Sequence, residues 1–284
     1  MMALTGTGWW SRGLPERLAG HRTAKLGMVL LLGLFAAVYL GPLVWPYDPE
    51  ALEHAVALQG PSWSHPLGTD QYGRDQLARL LDGGRRSLEA TALVLLLSLA
   101  LGLLVGVCAG VAGGLVDALA MRAVDVILSI PGMVLTLALV GALGPGLTNL
   151  MIALVVTTWP PYARLARGVV MGGRTRLDVV SARLAGVGWL RAATTHLLPV
   201  ATLQVLVVVT IDIGHTIIVI AGMSFLGLGV QPPAAEWGAM LASSRLHLAQ
   251  APWLLAPAVA ISLVVLAANL VGEALGDSAD PRRR

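Results

Sequence analysis

Charged residues are scarce in this chain of 284 residues: they make up 12% of it, while 56% of its residues are hydrophobic. An average soluble domain has about one quarter charged residues. This scarcity excludes an ordinary water-soluble core and indicates an integral membrane protein. The net charge of +3 is spread over many segments rather than gathered on one face, so we expect no nucleic-acid partner.

Two further absences narrow the chemistry. The chain has one cysteine, Cys108, which excludes an intrachain disulfide and a cysteine-based metal site. It also lacks the Gly-x-x-x-x-Gly-Lys-Ser/Thr loop that holds nucleotide phosphates. We therefore expect no ATP hydrolysis by this chain, no cofactor bound by it and no enzyme activity of its own.

Long charge-free runs predict an all-α membrane protein with six transmembrane helices, because backbone in lipid must satisfy its own hydrogen bonds. A proline, Pro131, falls inside the third run and is expected to kink it. The turn Gly144-Pro145-Gly146 divides a run too long for one span. The predicted spans are 26–45, 90–116, 126–143, 147–163, 197–220 and 253–271.

The basic residues predict the orientation. With the N-terminus inside, 14 of the 19 lysines and arginines fall on the cytoplasmic side, as the positive-inside rule requires. Both termini are then cytoplasmic in a multi-pass protein of the cell (inner) membrane. The resulting divisions are an N-terminal segment 1–25, a first span 26–45, an external loop 46–87, a five-helix core 88–274 and a tail 275–284.

Inside that core, the polar segment 172–199 predicts two short cytoplasmic helices joined at Gly186. Leucines 177, 184 and 190 give it an apolar side, and three arginines give it a charged side. Such an amphipathic element suits the groove of a partner protein. A helix lying flat on the membrane surface has the same composition and remains an alternative.

This segment resembles the EAA loop through which permeases of ABC importers contact their ATPases, a Glu-Ala-Ala triplet followed by a glycine and an apolar-Leu-Pro. The triplet corresponds to Val180-Ser181-Ala182, followed by Arg183, Gly186 and Leu198-Pro199. The chain departs from the pattern because a valine replaces the glutamate, so any salt bridge made by that glutamate is absent. The other positions are expected to keep the contact.

Two further blocks resemble the dipeptide, oligopeptide and nickel permease family. The first is His65-Pro66-Leu67-Gly68-Thr69-Asp70 with Gly73-Arg74-Asp75. The second is Ser224-Phe225-Leu226-Gly227-Leu228-Gly229-Val230, with Glu236-Trp237-Gly238 after it. The resemblance implies the type I ABC importer permease fold and the second of two permease subunits. It also implies a homologous permease subunit, two cytoplasmic ATPases that use ATP, and an extracytoplasmic substrate-binding protein as partners.

Two ionisable residues, Asp212 and His215, interrupt the fifth predicted span. Ionisable residues inside a membrane are costly and point to function, and residues three apart share a helix face. A carboxylate and an imidazole can contact a transition-metal ion transiently. The alternative is a structural pair in which Asp212 holds the His215 ring.

The segment 211–224 resembles nickel permeases more than dipeptide permeases, which implies nickel, free or chelated, as cargo. Dipeptides or oligopeptides remain an alternative cargo. A secondary transporter that relays protons through Asp212 and His215 is a further alternative, although it leaves the loop 172–199 unexplained.

Overall fold

In a computed structural model of the chain, residues 22–279 are described, and they form helices and connecting segments without a strand. The predicted terminal segments 1–25 and 275–284 therefore lie mostly outside the described residues. The main helices are α1 (Arg22–Val44), α2 (Gln76–Ala112), α3 (Gly114–Leu128), α4 (Gly132–Leu143), α5 (Leu147–Gly173), α6 (Leu177–Leu184), α7 (Trp189–Ala192), α8 (Leu198–Phe225), α9 (Trp237–Ser244) and α10 (Ala256–Ala279).

Four helical segments among the described residues are long and apolar enough to cross a membrane: 23–44, 76–112, 189–225 and 252–276. A fifth span results if α3 and α4 together count as one. The all-helical fold and several of its spans thus agree with the sequence prediction. Helix α5 does not join this set, and it contains Pro160, Pro161 and two arginines among its 27 residues. The count of six stays a prediction.

The third predicted span differs from the expectation. In place of one kinked helix over 126–143, α3 begins at Gly114, and α3 and α4 meet at an angle of 88°. Pro131 lies outside both helices and directly precedes α4. A proline lacks the amide hydrogen and disfavours helical backbone in the residue before it, so the chain breaks here rather than bends.

The second helix is longer than predicted at its beginning. It begins at Gln76, 14 residues before the charge-free run at Ala90, and so occupies part of the predicted external loop. Its first turns contain charged residues, so a charge-free run does not predict them. Several of them have partners, such as Arg86 with Asp82 at 3.1 Å, which makes a charged first third compatible with a helix.

Three glycines set the distance between α2 and α5. Gly102, Gly106 and Gly110 follow each other at four-residue spacing on α2. A side chain at any of them would meet α5, at Tyr162, Ala163 or Val170. Small residues at this spacing let membrane helices approach closely, and α2 and α5 make the most extensive helix–helix contact among the described residues.

Candidate functional site

The predicted segment 172–199 has the predicted form of two short helices. Its part between α5 and α8, residues 174–197, is named the coupling loop. Helix α6 ends at Leu184, Gly186 turns the chain with a φ of 88°, and α7 begins at Trp189. A left-handed φ favours glycine at this turn. A π-helical turn at 193–197 then continues into α8.

The coupling loop has one buried side and one exposed, apolar side. Val179 is fully buried and packs with small residues of the loop and with Leu197. The leucines point away from the protein: Leu177 is 83% exposed, Leu184 84% and Leu190 68%. The loop therefore presents an uncovered apolar surface at one end of the bundle.

The triplet and its neighbours lie on or beside this surface. Val180 and Ser181 are exposed, and Ala182 is half-buried. Arg183, Gly186 and Pro199 are exposed, whereas Leu198 is half-buried. The small side chains of Ser181 and Ala182 leave the backbone of α6 accessible to a partner.

The first turn of α6 is fixed by an ion pair. The Arg176 guanidinium donates to both carboxylate oxygens of Asp178, at 3.1 and 3.0 Å. Burial raises the pKa of Asp178, but the hydrogen bonds and charge of Arg176 outweigh it and hold that pKa below its usual range. Asp178 is therefore ionised at neutral pH, and its charge at the beginning of α6 favours the helix dipole.

The intramembrane pair has a different arrangement from the one expected for a structural role. The Tyr162 hydroxyl on α5 donates to Asp212 at 2.7 Å, and Tyr162 is almost completely buried. His215 is exposed and is not the hydrogen-bond partner of Asp212 in the described part of the chain. The structural alternative in which Asp212 holds the His215 ring is therefore wrong, and Tyr162 takes that place.

The two residues do not form a closed metal site. Among residues 22–279, no group of three or more His, Cys, Asp or Glu side chains could hold a metal ion. A carboxylate fixed by Tyr162 and a free imidazole one turn away can offer at most two ligands. Such a pair suits brief contact with a passing cation better than retention of one.

A groove of about 860 Å³ lies between α5, the beginning of α8 and the end of α3. Arg164, Arg176 and Gln204 are its polar lining residues. Arg164 donates to Asp125 at 2.6 Å, so both arginines of the groove already have carboxylate partners. The groove opens beside the coupling loop, at the same end of the bundle.

At the other end, residues 45–75 and 226–255 form what we name the lobe. The first family block lies inside it: Thr69, Asp70, Arg74 and Asp75 are buried. Asp70 accepts from the Arg74 guanidinium at 2.7 Å. Gly73 has a φ of 76°, and a side chain there would collide with the Glu53 carbonyl. Gly68 has a φ of 66°, and a side chain there would collide with the Trp253 ring.

Asp75 is the centre of this block. One of its oxygens accepts from the Ala78 amide at 2.7 Å, which caps α2, and from the Trp45 indole at 2.9 Å. The other lies 2.8 Å from Nδ1 of His65. The block therefore joins α1, the lobe and the first turn of α2.

The second block holds the lobe against the bundle. Glu236 is fully buried and accepts from the Ser87 hydroxyl at 2.9 Å and from two amides of α9. The Trp237 indole donates to the Leu80 carbonyl at 2.9 Å. Ser224 is buried and Gly229 packs directly on it, while Gly227 has a φ of 83°. Phe225, Leu226 and Gly227 are the exposed residues of the Ser224–Gly229 run.

The buried positions of both blocks indicate that they stabilise the structure. The charged residues of the first block are buried and paired with each other, and Glu236 of the second is buried against Ser87 and α9, so these residues build the lobe rather than its outer surface. Sequence reasoning singled them out by resemblance but missed their partners Trp45, Ser87 and Leu80. It also missed Tyr162 and Trp189. The one signal available for them was that each is an aromatic residue with a polar group among apolar neighbours.

Comparison with known proteins agrees with this organisation. Residues 102–284 match the family described as binding-protein-dependent transport system inner membrane component. Residues 10–61 match the N-terminal transmembrane domain of oligopeptide transport permease C.

Similar curated proteins carry two kinds of name. The chain is 42% identical to the nickel transport system permease protein NikC of Escherichia coli K12, over 93% of this chain and 96% of that protein. It is 40% identical to the di/tripeptide transport system permease protein DppC of Pseudomonas aeruginosa, over 92% and 89%. The dipeptide permease DppC of Haemophilus influenzae is 36% identical over 92% and 91%. These relatives are transport permeases rather than enzymes.

The family match covers more than half of the chain, and the relatives match it almost from end to end. The chain thus belongs to the binding-protein-dependent inner membrane permeases of the peptide and nickel transport family.

Proposed function

We propose that this chain is one of two permease subunits of an ATP-driven importer and forms half of its translocation pathway. The observation that carries the proposal is the apolar surface of the coupling loop, with its three outward-facing leucines. Three leucines so strongly exposed on a polar loop indicate a surface that is buried by a partner. A groove on a cytoplasmic ATPase is a partner surface that can bind an exposed short helix of this kind.

The two ends of the bundle then lie on opposite sides of the membrane. The coupling loop faces the cytoplasm and carries four arginines and no lysine or other basic residue except His196, as the positive-inside rule favours. The lobe faces outward and receives the substrate-binding protein. Helix α5 then also crosses the membrane, because the lobe and the coupling loop lie at its opposite ends, and it brings the number of spans to six. The homologous permease subunit completes the pathway, and ATP is used only by the ATPases.

Nickel, free or chelated, is the cargo that we propose. Asp212 is held by Tyr162 and leaves His215 exposed one turn further along the same helix. Nitrogen and oxygen ligands of this kind suit a divalent transition metal. The similarity to a nickel permease over nearly the whole chain supports the same cargo. The similarity to a di/tripeptide permease is almost as high and supports peptides as the second candidate.

Substitutions on α8 separate the two cargoes. In the assembled importer, His215→Ala and Asp212→Asn are each expected to lower uptake of radioactive nickel about tenfold, the effect typical of losing a group that contacts or supports a metal ion. Uptake by the unchanged importer should continue with a dipeptide mixture in excess. The matched control is Ser262→Ala, since Ser262 is exposed on α10 and bonds only within its own helix.

One result would reject nickel as the cargo: uptake of labelled dipeptide without uptake of nickel, which assigns the importer to peptides. Full nickel uptake by both α8 variants would leave nickel as the cargo but would contradict contact of Asp212 and His215 with it.

A further inference from the structure

The last turn of α2 is completed by side chains of the coupling loop. The final four carbonyls of a helix have no partner within the helix. Two of those in α2 have partners here: the Gly110 carbonyl accepts from the Arg174 guanidinium at 2.5 Å, and the Val111 carbonyl accepts from the Trp189 indole at 2.8 Å. Arg174 also places a positive charge at the negative end of the helix dipole.

The Trp189 ring connects this helix end to α6. The guanidinium of Arg174 lies 5.4 Å from the ring centre and that of Arg183 lies 5.5 Å from it. Both are within the range of cation–π attraction. Arg183 directly follows the triplet 180–182, so Trp189 lies between the exposed helix of the loop and the end of α2.

Apolar packing supports the same junction. Val107 and Val111 of α2 lie against the buried cluster that contains Val179 and Leu197. Close-packed interiors transmit displacement rather than absorb it. A movement of the coupling loop therefore acts directly on the end of α2.

The opposite end of α2 is fixed in the lobe. Asp75 caps it, and the Arg79 guanidinium donates to the carbonyls of Pro49 at 2.9 Å and Pro233 at 3.3 Å. Its 37 residues correspond to a length of about 55 Å at the helical rise per residue. Like α5 and α8, α2 is thus a continuous helix that runs from the coupling loop to the lobe.

What distinguishes α2 is the way it is attached. Helices α5 and α8 are joined to the coupling loop by the chain itself, whereas α2 has only side-chain contacts with it. From this geometry, and resting on the proposed function, we infer that α2 carries movement of the coupling loop to the lobe. Arg174 and Trp189 are the positioning residues that make this transfer possible.

Transport per ATP hydrolysed by the assembled importer tests this role. Trp189→Phe keeps the ring and removes the donor, and Arg174→Gln removes the charge. Each is expected to lower the number of cargo molecules transported per ATP about fivefold, the factor that corresponds to losing one hydrogen bond of ordinary net strength. The control is Thr194→Val, because Thr194 lies in the same loop but bonds only to the loop carbonyls of Leu190 and Arg191.

A distance measurement provides a readout that misfolding does not imitate. Cys108 is the chain's one cysteine and is exposed near the end of α2. A spin label on it pairs with a second label at Thr195→Cys in the coupling loop, in a complex whose other subunits lack cysteine. The distance is expected to stay constant between nucleotide-free and ATP-bound states, and to change once Trp189→Phe and Arg174→Gln are combined.

A distance that changes with ATP in the otherwise unchanged chain would overturn the inference. Full transport per ATP in both single variants would do the same. Neither result touches the proposed function, which instead fails if the importer takes up neither nickel chloride nor dialanine. The label pair reports on α2 whichever cargo is transported.

Discussion

Asp75→Ala is expected to destabilise the protein by about 3 kcal/mol. The carboxylate caps α2, and loss of a capping aspartate costs about 0.5–2 kcal/mol. It also accepts from the Trp45 indole and lies against the buried His65 ring. Leaving a buried donor without a partner costs about 1–3 kcal/mol. The measurement is the unfolding free energy of the purified chain in detergent.

Two variants make this result specific. Asp75→Asn keeps an acceptor for the Ala78 amide and should lose roughly half as much stability. Asp48→Ala removes an exposed carboxylate that bonds only to the nearby Glu50 amide, and it should cost less than about 1 kcal/mol. Equal losses in Asp75→Ala and Asp48→Ala would contradict the role of Asp75 as the junction of α1, α2 and the lobe.

Leu184→Asp is expected to weaken binding of the ATPase subunits strongly while the chain remains folded. Leu184 is 84% exposed, so its replacement disturbs little of this chain. In the assembled importer, the new carboxylate would be buried without a partner in the ATPase groove. Loss of a central contact of this type costs about 2 kcal/mol or more, which corresponds to a fall in affinity of about thirtyfold or more. Co-purification of the ATPases with the tagged chain measures it.

Leu246→Asp is the matched control because Leu246 is 82% exposed but belongs to the lobe, at the other end of the bundle. This variant should retain its ATPases. If Leu184→Asp also retains them and loses only its association with lipid vesicles, the coupling loop lies on the membrane surface and the docking assignment is wrong.

The sequence was sufficient for features that depend on local chemistry. The glycine at 186 between two short polar helices predicted the form of the coupling loop, and it is confirmed. Charge-free runs located α1, α8 and α10 within several residues. Resemblance in the blocks around Asp75 and Glu236 identified the family, and the comparisons confirm it.

Features that depend on distant partners could not be predicted. The charged first turns of α2 are stable as helix because the lobe and neighbouring turns neutralise them, which no local pattern reveals. Tyr162 meets Asp212 across 50 residues, and Ser87 meets Glu236 across 149. The buried position of α6 was equally hidden, because Val179 rather than a leucine occupies it.

The break at Pro131 shows the limit of a helical pattern. A proline within an apolar run is compatible with a kink or with an end, and sequence favoured the kink. The structure has an end, with α3 and α4 at 88° to each other. The ion pair of Asp117 with Arg167, at 2.6 Å between Oδ2 and Nη2, holds α3 against α5 and supports this geometry.

The most direct test of the account is the energy source of uptake. The chain, its partner permease, the binding protein and the ATPases are reconstituted in proteoliposomes, and uptake of radioactive nickel is followed. Uptake is expected to require both the ATPases and hydrolysable ATP on their side of the membrane. Uptake by the two permeases alone, driven by a proton gradient without ATPases, would contradict this expectation and identify a secondary transporter.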